Sequence, residues 1–162
     1  MTRPSALSEP EFLARFGAVY EDSPWVAAGV WPDPPDDLDG LAAAMAAVVD
    51  AAPVERRLAL IRAHPELAGR AKMADASVRE QSGAGLDQCS PEEFEAFQRL
   101  NAAYGARFGF PFIVAVKGLT RADILAAFEA RLANAPEAEF AEAIAQIHRI
   151  ARFRLADLLR GS

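Results

Sequence analysis

The residues best suited to acid–base chemistry in this sequence are few: two histidines, one cysteine and a set of scattered carboxylates. His64 stands out by its neighbour. Pro65 pushes the preceding residue out of helical geometry, so a helix whose buried face is Val54, Leu58 and Ile61 must end at His64. Adding three to Ile61 continues that stripe to the histidine, which places the imidazole at a helix terminus on the inward side. An imidazole ordinarily titrates near neutrality, so His64 could serve a pocket as general acid or base. The alternative is a helix-ending histidine packed at the edge of the core. His148 lies about a quarter turn off the buried stripe of its own helix and reads as structural or solvated.

Five further residues have types and spacings that matter. Ser77 and Glu80 have the spacing of a capping box, which would give Glu80 a local structural role. The same carboxylate could instead face His64 and set its protonation, with Gln81 reading a substrate amide. Spacing leaves both open. Asn101 falls on the apolar stripe of its helix, seven residues after Phe94, so its amide is expected to be buried and must find partners. Arg154 lies seven residues after Ile147 on the buried stripe of the last helix. Arginine is rarely buried without an anion, and its planar fork suits a carboxylate from Glu80, from another acid or from a substrate. Arg149, Arg152 and Arg160 project from the other side.

The elements that must position these groups read as helices. Ser8-Glu9-Pro10-Glu11 is a capping box and predicts a helix to about Tyr20, with Phe12, Phe16 and Val19 inside. Ser23-Pro24 starts a second, carrying Trp25, Val26 and Val30, before the proline-rich stretch from Trp31 to Asp37 forms a surface loop. Leu38 to about Ala52 is a third, with Leu41, Met45, Val48 and Val49 inside, and Pro53 opens the helix that ends at His64. The polar stretch to Ala76 allows a short helix, and Ser82-Gly83-Ala84-Gly85 reads as flexible. Ser90-Pro91-Glu92-Glu93 caps a helix to about Arg107 with Phe94, Phe97, Tyr104 and Phe108 inside. Residues 108–116 are aromatic and branched; a lone strand has no partner, so they read as a buried extended segment with backbone groups to spare. Thr120 caps the next helix, which buries Ile124, Leu125 and Phe128, and Pro136 starts the last. The expectation is an all-α single domain, residues 1–162, of seven to nine helices.

Composition agrees with that class. The chain has 162 residues, enough for one core, and 36 of them are alanine, the best helix former and a poor strand former. Apolar residues at 52% and charged residues at 25% exclude wholesale disorder. A net charge of −6 repels polyanions, so nucleic acid is not an expected partner. The single Cys89 forms no internal disulfide, no Cys/His cluster suggests zinc, and neither a signal peptide nor an apolar run of membrane-spanning length is seen, so a soluble cytoplasmic protein is expected.

Taken together, several strings resemble one family. They are His64-Pro65-Glu66-Leu67-Ala68, Ser77-Val78-Arg79-Glu80-Gln81 with Ala84-Gly85-Leu86, Leu100-Asn101-Ala102-Ala103-Tyr104, Arg107 to Ile113, and Ile150-Ala151-Arg152-Phe153-Arg154-Leu155. In this order and spacing they are similar to the OHCU decarboxylases, which act on 2-oxo-4-hydroxy-4-carboxy-5-ureidoimidazoline (OHCU) in urate breakdown. The resemblance runs from the first capping box to Leu158. It implies a helical bundle peculiar to the family and a reaction giving S-allantoin and carbon dioxide with no metal or organic cofactor. It implies catalytic roles for His64 and Glu80. It also implies substrate contacts from Pro65, Ser77, Gln81, the backbone of Phe112, Ile113, Val114, Ala115 and Val116, and Arg154. The implied partner is a small ureide, with no nucleic acid and no membrane, and a homodimer is compatible with the sequence. A different class, a non-catalytic helical binding or scaffolding module, shares the capping boxes and the core arginine, but would have no reason to keep His64, Glu80, Gln81, Asn101 and Arg154 together. An amidohydrolase is a third reading, weakened by the lack of a metal cluster or nucleophile motif.

Overall fold

Four of the helices described below begin just after a residue whose side chain caps them. The computed structural model describes residues 3–31, 33–67, 80–83 and 85–160, and among these every regular element is helical. Seven α-helices are described in full: α1 Glu9–Phe16, α2 Trp25–Val30, α3 Leu38–Asp50, α4 Val54–Ala63, α5 Pro91–Phe108, α6 Arg121–Arg131 and α7 Pro136–Arg160. Short 3-10 turns occupy Pro4–Ala6 and Leu86–Gln88, and residues 80–83 are helical as well. The all-α class expected from the alanine excess is the class found.

Three helices begin with full capping boxes, which satisfy two backbone N–H groups that a helix start leaves without intrahelical partners. Ser8 and Glu11 exchange bonds of 3.3 and 2.9 Å at α1, Ser90 and Glu93 of 3.1 and 2.9 Å at α5, and Thr120 and Asp123 of 3.1 and 3.0 Å at α6. Asp37 caps α3 through the Gly40 N–H at 2.9 Å.

Some boundaries and faces differ from the sequence reading. Helix α1 stops at Phe16 rather than near Tyr20, yet Val19 and Tyr20 are buried from the turn that follows. Tyr20 is held there by its hydroxyl, 2.7 Å from His148 Nδ1. Val54 stands 55% exposed as the first residue of α4, and Leu58 is half-buried; the inward residues of that helix are Leu60 and Ile61. Ser82 and Gly83 are helical, not a flexible link. The stretch up to Ala76 and the Ser77 cap lie outside the described residues.

The chain divides into two compact units, Met1–Ala63 with Ile147–Ser162, and His64–Gln146. In the first, α2 packs on α1 and α3. Gly29 permits the close approach of α2 to α3, since a Cβ there would meet Val48 Cγ1 at 2.8 Å. Phe12, Phe16, Leu41, Met45 and Leu155 are among its fully buried side chains. In the second unit α5 packs on α6, and Tyr104 stands edge-on to Phe110, Phe112 and Phe128. Gly109, with φ 77°, ends α5 in the left-handed conformation that glycine adopts without strain, and releases the chain into residues 110–116. That stretch is non-helical, forms no strand and buries Phe110, Phe112, Ile113, Ala115 and Val116, as the sequence predicts.

Candidate active site

The second unit begins at His64, and the turn it opens is the best-supported piece of local geometry. Helix α4 ends at Ala63, where the proline rule puts its end, and His64 follows it buried, with only 7% of its surface exposed. Two amide side chains grip the turn from other elements. Gln81, in the helical residues 80–83, donates from Nε2 to the Glu66 carbonyl at 3.4 Å, a long bond; Asn101, in α5, donates from Nδ2 to the Leu67 carbonyl at 3.0 Å. The chain around His64, Pro65, Glu66 and Leu67 is thereby tied to both Gln81 and Asn101. Pro65 and Glu80 are half-buried.

The segment at 112–116 is held by a buried polar network that sequence reasoning missed. Arg131 Nη1 donates to the Ile113 carbonyl at 2.5 Å, and Gln146 Oε1 accepts the Ala115 N–H at 2.9 Å. The Val116 carbonyl accepts the Leu119 N–H at 3.0 Å. Val114, half-buried between the clamped positions, makes no backbone hydrogen bond to the described residues.

Arg131 is in turn held by Glu139, whose carboxylate accepts from Nε and Nη2 at 2.9 to 3.1 Å, from Asn134 Nδ2 at 2.9 Å and from the Tyr104 hydroxyl. Glu139 is fully buried. Burial works to raise its pKa, but the bonds from Arg131, Tyr104 and Asn134 outweigh it and hold the carboxyl below the ordinary 4.5. Burial, and then the bond to Glu139, push the Tyr104 phenol well above its ordinary 10.0, so it stays a donor. The signal for this network was available. Ile124, Phe128 and Arg131 follow the same four-then-three spacing that selects Arg154, and Glu139, Ala143 and Gln146 repeat it.

Arg154 belongs to the first unit and is buried, as its stripe predicts. Its Nη1 donates to Glu21 Oε1 at 2.9 Å and to the Val19 carbonyl at 3.2 Å. The anion it faces in this unit is therefore Glu21, a residue the sequence reading did not name. Arg152 is half-exposed and paired with the exposed Asp39. His148 joins Tyr20 to Asp50 Oδ1, 3.0 Å from its Nε2, which accords with a structural role. Among the described residues no group of three or more His, Cys, Asp or Glu could hold a metal ion, and no helix is long and apolar enough to cross a membrane.

A comparison with protein families matches residues 5–156 to the OHCU decarboxylase model. The chain belongs to the OHCU decarboxylase family. It is 44% identical over 152 residues to the 2-oxo-4-hydroxy-4-carboxy-5-ureidoimidazoline decarboxylase of Haloferax volcanii, covering 93% of this chain and 90% of that one. It is 46% identical over 144 residues to the uric acid degradation bifunctional protein PucL of Bacillus subtilis, covering 88% of this chain and 29% of that longer one. Among solved structures it resembles (S)-allantoin synthase with a TM-score of 0.79 at 32% identity, over 96% of this chain and 52% of that chain. The family resemblance read from the motifs and the all-helical fold it implied are thus both found.

Proposed function

We propose that this chain is a stereospecific OHCU decarboxylase acting in urate degradation, in the cytoplasm, with S-allantoin and carbon dioxide as products. The observation that carries this reading is the likeness to a decarboxylase of the same substrate across nine tenths of both chains. The relative named for uric acid degradation supports the pathway.

The chemistry asked of the protein is modest. The carboxylate of OHCU sits next to an imine carbon, so when carbon dioxide leaves, the pair of electrons from the broken carbon–carbon bond enters the adjacent C=N system. The substrate is its own electron sink. What remains for the protein is to orient the substrate, move protons and choose the face on which the new C–H bond forms. In this reading His64 exchanges the proton of the substrate hydroxyl, and Glu80 orients or charges it. Pro65, Ser77 and Gln81 line the substrate, the backbone of residues 112–116 offers groups to the ureide, and Arg154 engages an anionic group. The clamps on Ile113 and Ala115 support the backbone role, because a donor held in place loses little freedom on binding.

Freshly prepared OHCU mixed with the purified protein tests the reading: loss of the substrate should accelerate in proportion to protein concentration. A rate equal to spontaneous decay at every concentration would overturn it. A non-catalytic binding module would show that second result while still binding allantoin.

A further inference from the structure

Asn101 makes one bond too few. It lies in α5 with 5% of its surface exposed, and its Nδ2 donates to the Leu67 carbonyl at 3.0 Å. A carbonyl can only accept, so this bond fixes which end of the amide is nitrogen and turns Oδ1 away from Leu67. Among the described residues, Asn101 Oδ1 is the buried side-chain polar atom with no hydrogen-bond partner. Buried polar atoms are almost always paired, and an unpaired one in a well-formed core asks for an explanation. Packing alone does not supply it, since Leu100 beside it shows that this helix buries an aliphatic side chain readily.

The location supplies one. The Leu67 carbonyl that Asn101 holds lies three residues after His64, in the turn whose Glu66 carbonyl is held by Gln81. A solitary acceptor on the helix that holds that turn matches an N–H donor, and a ureide carries several such donors. We propose that Asn101 is a substrate-binding residue, its Oδ1 receiving an N–H of the ureide while its Nδ2 holds the turn that follows His64. The proposal deepens the decarboxylase reading and rests on it.

Two substitutions separate the two ends of the amide. Asn101→Leu removes donor and acceptor, whereas Asn101→Asp removes only the donor and keeps an oxygen in place. The probe is (S)-allantoin, which is uncharged, so the new carboxylate does not repel it; binding is read by calorimetry, alongside KM and kcat for OHCU in the leucine variant. Restoring an orphan acceptor should matter by about tenfold or more, so Asn101→Leu is expected to weaken allantoin binding to that extent, raising KM more than it lowers kcat. Asn101→Asp should bind within about threefold of the wild type, because its acceptor remains. Unchanged binding by Asn101→Leu, or equal losses in both variants, would overturn the proposal; the second result would reduce Asn101 to a support for Leu67. Should Asn101→Leu fail to fold, Asn101→Ala, which also removes both donor and acceptor, takes its place beside Asn101→Asp with the same readings. A wild type that neither binds allantoin nor consumes OHCU would instead overturn the decarboxylase reading, and this contact with it.

Discussion

Glu80 has two roles to choose between, and one isosteric change separates them. A capping partner needs only an acceptor, which glutamine supplies, whereas control of a histidine proton needs the negative charge. Glu80→Gln should therefore keep the melting temperature within a few degrees while lowering turnover by roughly 10²-fold or more, the scale of acid–base groups. Turnover near that of the wild type would leave Glu80 a structural residue. Arg154 also carries two demands, since its Nη1 serves Glu21 and Val19 within the protein. A lysine keeps the charge but not the planar fork, so Arg154→Lys should raise the KM for OHCU by roughly tenfold, whereas Arg152→Lys should be nearly silent because its partner Asp39 is exposed. A shift in melting temperature with no change in KM would make Arg154 a partner of Glu21 alone.

At the level of elements, the Glu139 network decides whether residues 112–116 hold their shape. Removing one partner of a buried ion pair strands the other, so Glu139→Gln should cost about 3 kcal/mol at neutral pH, read from denaturant unfolding. The sign of its pH dependence follows from its lowered pKa. The charged form is favoured on folding, so the stabilisation is complete above the ordinary 4.5 and is lost as pH falls through the lower folded value. The gap between wild type and Glu139→Gln should thus be widest near neutrality and close in acid. What was legible at this scale follows a pattern. Helix starts were readable because a cap is a local device: Ser8, Ser90 and Thr120 each find their partners three residues on. Buried polar residues were readable from their stripes, as Asn101 and Arg154 were. Their partners were not, because Arg154 meets Glu21 across 133 positions of sequence and Asn101 meets Leu67 across 34. Val54 misled because periodicity gives a direction around the helix but not how far each end of it is covered.

For the whole molecule, the order of motifs carried more than any one of them. HPxLA, SxxEQ and the aromatic stretch after α5 are each weak, yet their succession pointed to the family that the chain proves to belong to. The same succession implies a reaction without a metal, and the chain carries only two histidines and one cysteine. Exhaustive chelation should accordingly leave the rate unchanged, and a loss restored by a divalent ion would contradict that mechanism. The central claim is that a site built around His64 chooses one face of the substrate. It is tested most directly by circular dichroism of the allantoin formed from fresh OHCU, with wild type and His64→Ala compared in parallel. Spontaneous decay gives a racemate and no signal, so the wild type should produce a growing signal of S-allantoin and the variant, folded to a similar melting temperature, should produce none above the spontaneous background. Racemic product from the wild type, or S-allantoin from His64→Ala at the wild-type rate, would contradict the account.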